Sequence, residues 1–336
     1  MKASVVVPVY NKAPFLKECL DSVFAQTFQD FEVIAIDDAS TDGSSAILTN
    51  FTDPRLRVIR MDTNQGPGLA AQRGMDEAQG ELVMRVDADD VMLPERFAAQ
   101  IAFMEAHPSV GLCGTSVGLM NDPRIVRRKP TADADAKAYL PFGVALFQPT
   151  MVIRRSILVA HTIRYAPHWP RYGEDWLFQA VAARHTIFAN IDRALVHYRV
   201  GAQNTSYGRD HFADLLSLYA MVFPILGLSA PDPHQAELNA MVVKVFQRVP
   251  DRTQLRDLKE WLARLVSMNT GSGMLDGQAL QATVDRAWDE LLHHMPRFGS
   301  KAVWAYVREG GRLDPARAYY LIRTLLGNSG EMIHRP

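Results

Sequence analysis

An alternation of short apolar segments with amphipathic ones runs through the first 115 residues and limits the fold more than any other feature. Ser4–Val9 is rich in valine, as expected for a strand that is buried on both faces of a sheet. A helix over residues 14–26 fits the next segment, because Pro14 lies near its first turn and apolar residues recur along one side. The alternation continues to a strand at Val110–Val117. This spacing predicts an α/β fold with a Rossmann-like, mostly parallel central sheet flanked by helices.

The pattern of apolar and polar residues along the whole chain predicts three regions. Residues 1–117 carry the alternation, with further strands predicted at Glu32–Ile36, Arg57–Arg60 and Glu81–Val86. Residues 118–210 are less regular and contain aromatic and proline-rich segments that suit loops around a site, so we expect the two regions to be halves of one domain. Residues 211–336 are predicted to form an α-helical C-terminal region. Its predicted helices are Phe212–Leu226, Gln235–Arg248, Thr253–Met268, Ala279–His293 and Ala316–Leu326.

Charge and cysteine content exclude some classes of protein. Lys plus Arg total 36 against 37 for Asp plus Glu, so the chain has no general basic field with which to bind nucleic acid. Its two cysteines, Cys19 and Cys113, match no zinc spacing and indicate a reducing compartment. The charge-free stretch Leu215–Ala230 is shorter than the roughly 20 residues that span a bilayer. A cytoplasmic protein is expected, while contact with the inner face of the membrane and homo-oligomer formation both stay open.

Polar residues follow three of the predicted strands where each strand ends. These segments are Pro8–Asn11, Asp37–Ser44 and Asp87–Asp90. Each could be an ordinary loop with helix-capping carboxylates, but the carboxyl ends of parallel strands meet at one edge of the sheet, where ligands bind. The triplet Asp87-Ala88-Asp89 suits a hard divalent cation that also holds diphosphate oxygens. Tyr10 offers a flat face to a nucleobase, and Asp38 offers acceptor oxygens to its N–H groups.

Four motifs occur in order and carry a resemblance to a known family. They are VVVPVYN, IDDASTDGS, the segment from Asn64 to Gly74, and VDADD followed by LPERF. Together they resemble the large family 2 of inverting glycosyltransferases, of the bacterial polysaccharide type, whose fold is called GT-A. The resemblance covers roughly residues 3 to 115 and continues less tightly to about residue 207. It implies that residues 1–117 bind a nucleotide sugar and that residues 118–210 bind the acceptor and carry the catalytic base.

The resemblance also implies roles for single residues. Tyr10 would stack on the base, Asp38 would bond to it, and Arg73 would lie near the ribose or diphosphate. Asp89 would bind Mn²⁺ or Mg²⁺ directly, and Asp87 would approach the ribose or metal-bound water. The residues assigned to the donor site are thus Pro8, Tyr10, Asp38, Arg73, Asp87, Ala88 and Asp89. Asp90 is expected to be a local structural residue.

The catalytic residues are assigned further along the chain. Gly173-Glu174-Asp175 resembles the Glu-Asp pair of the family, in which the Asp is the usual catalytic base, although such a pair can also simply begin a helix. The family often continues to Tyr-Arg-X-His near the end of the domain, whereas Gly201 takes the place of that histidine here. His197 is expected to be structural, because its side chain alternates away from Tyr198 on a strand. Water, donor phosphates and Gln203 or Asn204 are then the candidates to complete the metal shell.

The function expected from these residues is sugar transfer with inversion. The donor would be a nucleoside-diphosphate sugar, in the first place a UDP-linked one, and the acceptor a hydroxyl of a saccharide or lipid-linked saccharide in polysaccharide or glycoconjugate synthesis. Two alternatives stay open, a nucleotidyltransferase and an inactive glycosyltransferase-like binding module. The first would show a glycine-rich basic loop after the first strand, and PVYNKAPF is not such a loop. The second would have lost the base or a metal ligand.

Overall fold

A computed structural model describes residues 1–201 and 207–327 of the chain. The chain divides into two compact units, Met1–Arg209 and Asp210–Pro336. The first unit contains a sheet of parallel and antiparallel strands together with helices, and the second unit is helical. Gln203 and Asn204, the two candidates for the metal shell, lie outside the described residues.

One sheet organises the described residues of the first unit. Its strands are β1 (Ala3–Val9), β2 (Phe31–Asp37), β3 (Leu56–Arg60), β4 (Leu82–Arg85), β5 (Val91–Met92), β6 (Val110–Leu119), β7 (Asp122–Arg127), β8 (Val152–Arg154) and β9 (Ile187–Tyr198). Their order is β3-β2-β1-β4-β8-β6-β9-β5, and β7 pairs with β6. The strands β1 to β4 are parallel, whereas β8 runs antiparallel to both of its neighbours. The predicted mostly parallel sheet is confirmed, and its predicted division at residue 117 falls inside β6.

Helices accompany this sheet. They are α1 (Ala13–Phe24), α2 (Ser44–Asn50), α3 (Pro67–Glu77), α4 (Arg96–Ala106), α5 (Asp133–Ala138), α6 (Arg155–His161) and α7 (Glu174–Ala183). The apolar side of α1 is buried with Leu16, Leu20 and Val23, which join Val5 and Val7 of β1 in one core. Burial of such side chains stabilises the fold by about 1.5–3 kcal/mol for each residue.

The strand register brings the predicted site segments to one edge of the sheet. Val9 at the end of β1 pairs with Asp37 at the end of β2. Val6 pairs with Arg85, the last residue of β4, so the chain leaves β4 near the same edge. The loops that follow the three strands therefore meet beside each other, as the sequence predicted.

The described part of the second unit is built from helices. They are α8 (His211–Ile225), α9 (Pro233–Val242), α10 (Arg252–Ser272), α11 (Gly277–Leu291), α12 (Ser300–Arg308) and α13 (Pro315–Gly327). Four aspartates cap their first turns, and the predicted apolar stripe of α10 from Leu255 to Leu265 is buried. The predicted helix Gln235–Arg248 ends earlier, because Lys244 adopts a left-handed conformation, and α12 was not predicted. Among the described residues, no helix has the length and apolar character needed to cross a bilayer.

Candidate active site

The loops after β1 and β2 are fastened to each other by hydrogen bonds. The Asn11 side chain accepts a bond of 2.8 Å from the backbone N–H of Thr41, and Asn11 itself has a φ of 51°. Asparagine is one of the few residues that adopts this left-handed conformation readily. The backbone N–H of Lys12 donates to the Ser44 hydroxyl at 2.9 Å. These bonds fix the chain directly after Tyr10, a residue that is 44% exposed and could therefore take a stacking partner.

Asp38 is a buried carboxylate that holds the turn before α3. Its two oxygens accept hydrogen bonds from the backbone N–H groups of Gln65 at 2.7 Å and Gly66 at 2.8 Å. Burial raises the pKa of Asp38, while the two N–H donors oppose that shift. Each carboxylate oxygen has a second lone pair. The side chain can therefore hold this turn and still accept a bond from a ligand.

Arg171 joins this turn to the segment before α7. Its guanidinium donates to the side-chain and backbone oxygens of Asn64 at 2.7 and 3.0 Å. Its aliphatic part covers Gly66, where a Cβ would lie 3.0 Å from the Arg171 Cγ and where φ is +91°. Glycine is therefore required at position 66 for both the conformation and the contact. The two loops lie side by side although 107 positions of sequence separate Asn64 from Arg171.

The three aspartates of the segment after β4, Asp87, Asp89 and Asp90, lie in three different environments. Asp89 is 7% exposed, and its Oδ2 accepts a hydrogen bond of 2.5 Å from the Lys12 ammonium. The Asp87 side chain is 32% exposed. Asp90 is buried and accepts from the backbone N–H of Arg199 at 2.8 Å, consistent with the predicted local structural role. The Ala88 side chain is buried, so only its backbone could face a donor.

Arg85 is a buried cation directly before this segment. Its side chain is 1% exposed, and its Nη2 lies 3.4 Å from Asp87 Oδ1. Its Nε and Nη1 have no hydrogen-bond partner among residues 1–201 and 207–327. The positive charge of Arg85 lowers the pKa of both Asp87 and Glu174, against the larger upward effect of burial. Arg85 is therefore a counter-charge for carboxylates from two different elements.

Glu174 and Asp175 begin α7 after Gly173, whose φ is 76°. Glu174 is buried and Asp175 is partly exposed. Burial raises the pKa of both carboxyls, and the negative charge of Asp87 raises each of them further. Lys129 opposes this effect at Asp175. The acidic segment after β4 and the pair on α7 are therefore close enough for their charges to interact.

Most of the predicted site residues are brought together, and Arg73 is the exception. Pro8, Tyr10 and Asp38 lie at the ends of β1 and β2. Arg73 lies in the second half of α3, and its guanidinium bonds to Glu77 at 2.8 Å. Glu77 in turn accepts from Arg57 on β3. That Arg73 lies near the ribose or diphosphate of a bound donor therefore stays a prediction.

The protein supplies a small donor set for a metal ion. Across the part of the chain that the structure describes, no group of three or more His, Cys, Asp or Glu side chains is arranged to hold a cation. His197 pairs with Val91 and lies beside Gly118. Asp87 and Asp89 remain as candidate oxygen ligands. Two carboxylates fit Mg²⁺ or a similar cation that takes its remaining ligands from phosphate oxygens and water.

The structure adds four basic residues that the sequence argument did not assign. They are Lys12, Arg85, Lys129 and Arg171. Lys129 lies within 4.7 Å of the Tyr139 ring centre and 5.1 Å of the Phe147 ring centre. Its pKa is lowered to about 8, chiefly by burial. Only Arg85 left a signal in the sequence, as a charged residue within the apolar strand LVMRV.

Solved structures share this architecture. TarS of Staphylococcus aureus in complex with UDP-GlcNAc superposes with a TM-score of 0.60 at 22% identity, covering 94% of this chain and 93% of that one. The mannosyltransferase PcManGT of Pyrobaculum calidifontis, in complex with GDP-Man and Mn²⁺, gives a TM-score of 0.53 at 21% identity and covers 97% and 86%. At these identities the likeness concerns the fold, which is the GT-A fold of glycosyltransferases, as predicted.

Sequence relatives agree with the fold. The amylovoran biosynthesis glycosyltransferase AmsE of Erwinia amylovora is 28% identical over 229 residues, which is 65% of this chain and 84% of AmsE. Residues 4–160 match the family described as Glycosyl transferase family 2. This segment therefore carries the match to glycosyl transferase family 2, and the relatives that the chain resembles are glycosyltransferases.

Proposed function

We propose that this glycosyltransferase moves a sugar from a UDP-linked donor to an acceptor hydroxyl, with inversion and with help from Mn²⁺ or Mg²⁺. One observation carries the proposal: Arg171 donates to Asn64 at 2.7 and 3.0 Å, which ties the segment that leads into the candidate base to the loop that Asp38 holds. The exposed Tyr10 ring and the buried Asp38 lie at the ends of the adjacent strands.

Asp175 is the proposed base. Glu174 is packed against α3, since a Cβ on Gly68 would lie 2.8 Å from its Cγ, whereas Asp175 is partly exposed. The acceptor oxygen would attack the anomeric carbon while its proton passes to the Asp175 carboxylate. The bond from that carbon to the phosphate oxygen breaks, and the nucleoside diphosphate leaves with the electron pair. A raised pKa makes Asp175 a stronger proton acceptor than an ordinary aspartate.

Asp87 and Asp89 would hold the cation. When bound, it would supply positive charge that stabilises the leaving diphosphate. For the acceptor we propose a saccharide or lipid-linked saccharide hydroxyl, since AmsE is named for the biosynthesis of amylovoran. The UDP preference is supported by the likeness to TarS, which was solved with UDP-GlcNAc.

Donor turnover with and without Mn²⁺ tests the proposal. Asp175→Asn should keep UDP affinity and lose about 10²–10⁴ in transfer rate, because it keeps the shape but cannot accept the proton. Asp21→Asn is the matched control, since Asp21 pairs with Lys17 on the exposed side of α1. An active Asp175→Asn with an inactive Glu174→Gln would make Glu174 the base. UDP binding without any turnover would instead indicate a binding module.

A further inference from the structure

The contact between Lys12 and Asp89 bears on how a cation reaches the site. The Lys12 ammonium lies 2.5 Å from Oδ2 of Asp89, and the two side chains are 19% and 9% exposed. A bond of this length between charged groups is a strong one, because water competes poorly at a partly buried site. The carboxylate proposed to hold the metal thus already has a cationic partner from the chain itself.

Backbone hydrogen bonds hold Lys12 in a position from which its side chain reaches Asp89. Its N–H donates to the Ser44 hydroxyl at 2.9 Å, and the next N–H, of Ala13, donates to Asp42 at 3.0 Å. The loop after β2 therefore fixes the point from which the side chain starts. The contact joins residues 77 positions apart, so it belongs to the assembled site and not to one local turn.

A metal ion bound to Asp89 would be repelled by the Lys12 ammonium in its present position. Mg²⁺ binds carboxylate oxygens at about 2.0–2.1 Å, which would bring it beside the lysine nitrogen on the same group. Like charges at such a separation repel strongly where water is partly excluded. The lysine must therefore move for Oδ2 to take a metal, and its four-carbon stem permits that movement.

We propose that Lys12 is a resident cation of the donor site, which occupies Asp89 until a divalent cation displaces it and which then pairs with the donor diphosphate. The proposal rests on the proposed use of a nucleoside-diphosphate donor. It makes Lys12 a donor-binding residue that acts after the cation has arrived. A phosphate group is the partner that a released ammonium finds in such a site.

Calorimetric titration of Mn²⁺ without nucleotide tests the first step. Lys12→Met should bind Mn²⁺ about tenfold more tightly than the unchanged protein, which corresponds to about 1.4 kcal/mol, because the competing ammonium is gone. Lys17→Met is the matched control and should leave the affinity unchanged, since Lys17 pairs with Asp21 on the exposed side of α1. Lys12→Gln is a second variant in case Lys12→Met folds poorly. Unchanged or weaker Mn²⁺ binding in both Lys12 variants overturns the proposal, as does a protein that binds Mn²⁺ in no variant.

Nucleotide titration at saturating Mn²⁺ tests the second step. Lys12→Met should weaken UDP binding about tenfold and leave uridine binding unchanged, because uridine has no phosphate to pair with the ammonium. Equal UDP affinity with and without Lys12 overturns this step. These titrations need no turnover, so the failure of transfer alone would count against the proposed function and not against the competition for Asp89.

Discussion

Gly68 on α3 and Glu174 on α7 pack against each other, and the packing leaves no room for a side chain at position 68. A Cβ there would lie 2.8 Å from Glu174 Cγ and 3.0 Å from the Tyr165 ring. The first turn of α3 therefore sets where the acidic pair on α7 can lie. Neither residue reveals this dependence in the sequence, because 106 positions separate them.

Gly68→Ala should displace the pair and slow transfer. Overpacking of this kind costs about 1–3 kcal/mol, and a misplacement of about 1 Å can cost 10²-fold in rate. We expect a lower kcat with UDP affinity nearly unchanged, measured by steady-state transfer. Gly271→Ala is the control, because Gly271 lies within α10 and a Cβ there meets nothing within 4 Å. A Gly68→Ala enzyme with normal kcat would contradict the proposed placement of the base.

Glu174→Gln should raise stability at alkaline pH more than at acid pH. The pKa of Glu174 in the folded protein is raised above its ordinary 4.5 by burial. Between 4.5 and the raised value the folded protein binds more protons than the unfolded chain, so the free energy of unfolding falls as pH rises. Glutamine removes the buried charge, and we expect a gain of about 1–3 kcal/mol at pH 8.5 and little at pH 4. Urea unfolding at both pH values measures this gain in stability, with the surface substitution Glu105→Gln as control. An equal gain at pH 4 and at pH 8.5 would disprove the burial argument.

Arg85→Met should be strongly destabilising at neutral pH. It removes the buried counter-charge of Asp87, and breaking a buried pair of this kind costs about 3–5 kcal/mol. Arg85→Lys keeps the charge and should recover part of the loss in urea unfolding. Arg57→Met removes a more exposed pair with Glu77 and should cost about 0–1 kcal/mol. If lysine restores nothing, the role of Arg85 is packing and not charge.

Asp38→Ala should affect both the fold and nucleotide binding. It leaves the N–H groups of Gln65 and Gly66 without their acceptor, which costs about 1–3 kcal/mol, and it removes the proposed contact to the base. We expect a lower melting temperature together with weaker UDP binding. Asp62→Ala, an exposed position of the same loop, should change neither. Weaker UDP binding at an unchanged melting temperature would mean that Asp38 does not hold the turn.

The sheet and the strand-end motifs could be predicted because both follow from short-range patterns. A valine-rich strand such as β1 and an acidic segment such as Asp87–Asp90 are visible in any window of ten residues. Parallel strands then bring their ends together without further information. The antiparallel direction of β8 was not predicted, since three residues carry too little pattern to give a direction.

The surroundings of Arg73 could not be predicted from such patterns. A helix advances about 1.5 Å for each residue, so Arg73 lies about 9 Å along the axis from the start of α3. A motif by itself does not fix the direction of its last turn, and the bond from Arg73 to Glu77 is visible only in the structure. Lys12 and Arg171 were missed for the opposite reason, because their partners are 77 and 107 positions away and no local pattern indicates them.

The bonds from Arg171 to Asn64 have a consequence for the order in which substrates add. They tie the segment that leads into Asp175 to the loop that Asp38 holds. A nucleotide that stabilises this loop also stabilises the approach to the base, and the coupling is reciprocal. We therefore expect compulsory-order kinetics, in which the donor adds before the acceptor and UDP leaves last. In steady-state kinetics, UDP should then inhibit competitively against the donor and noncompetitively against the acceptor. That inhibition pattern would be the sign that a single tether joins the two loops.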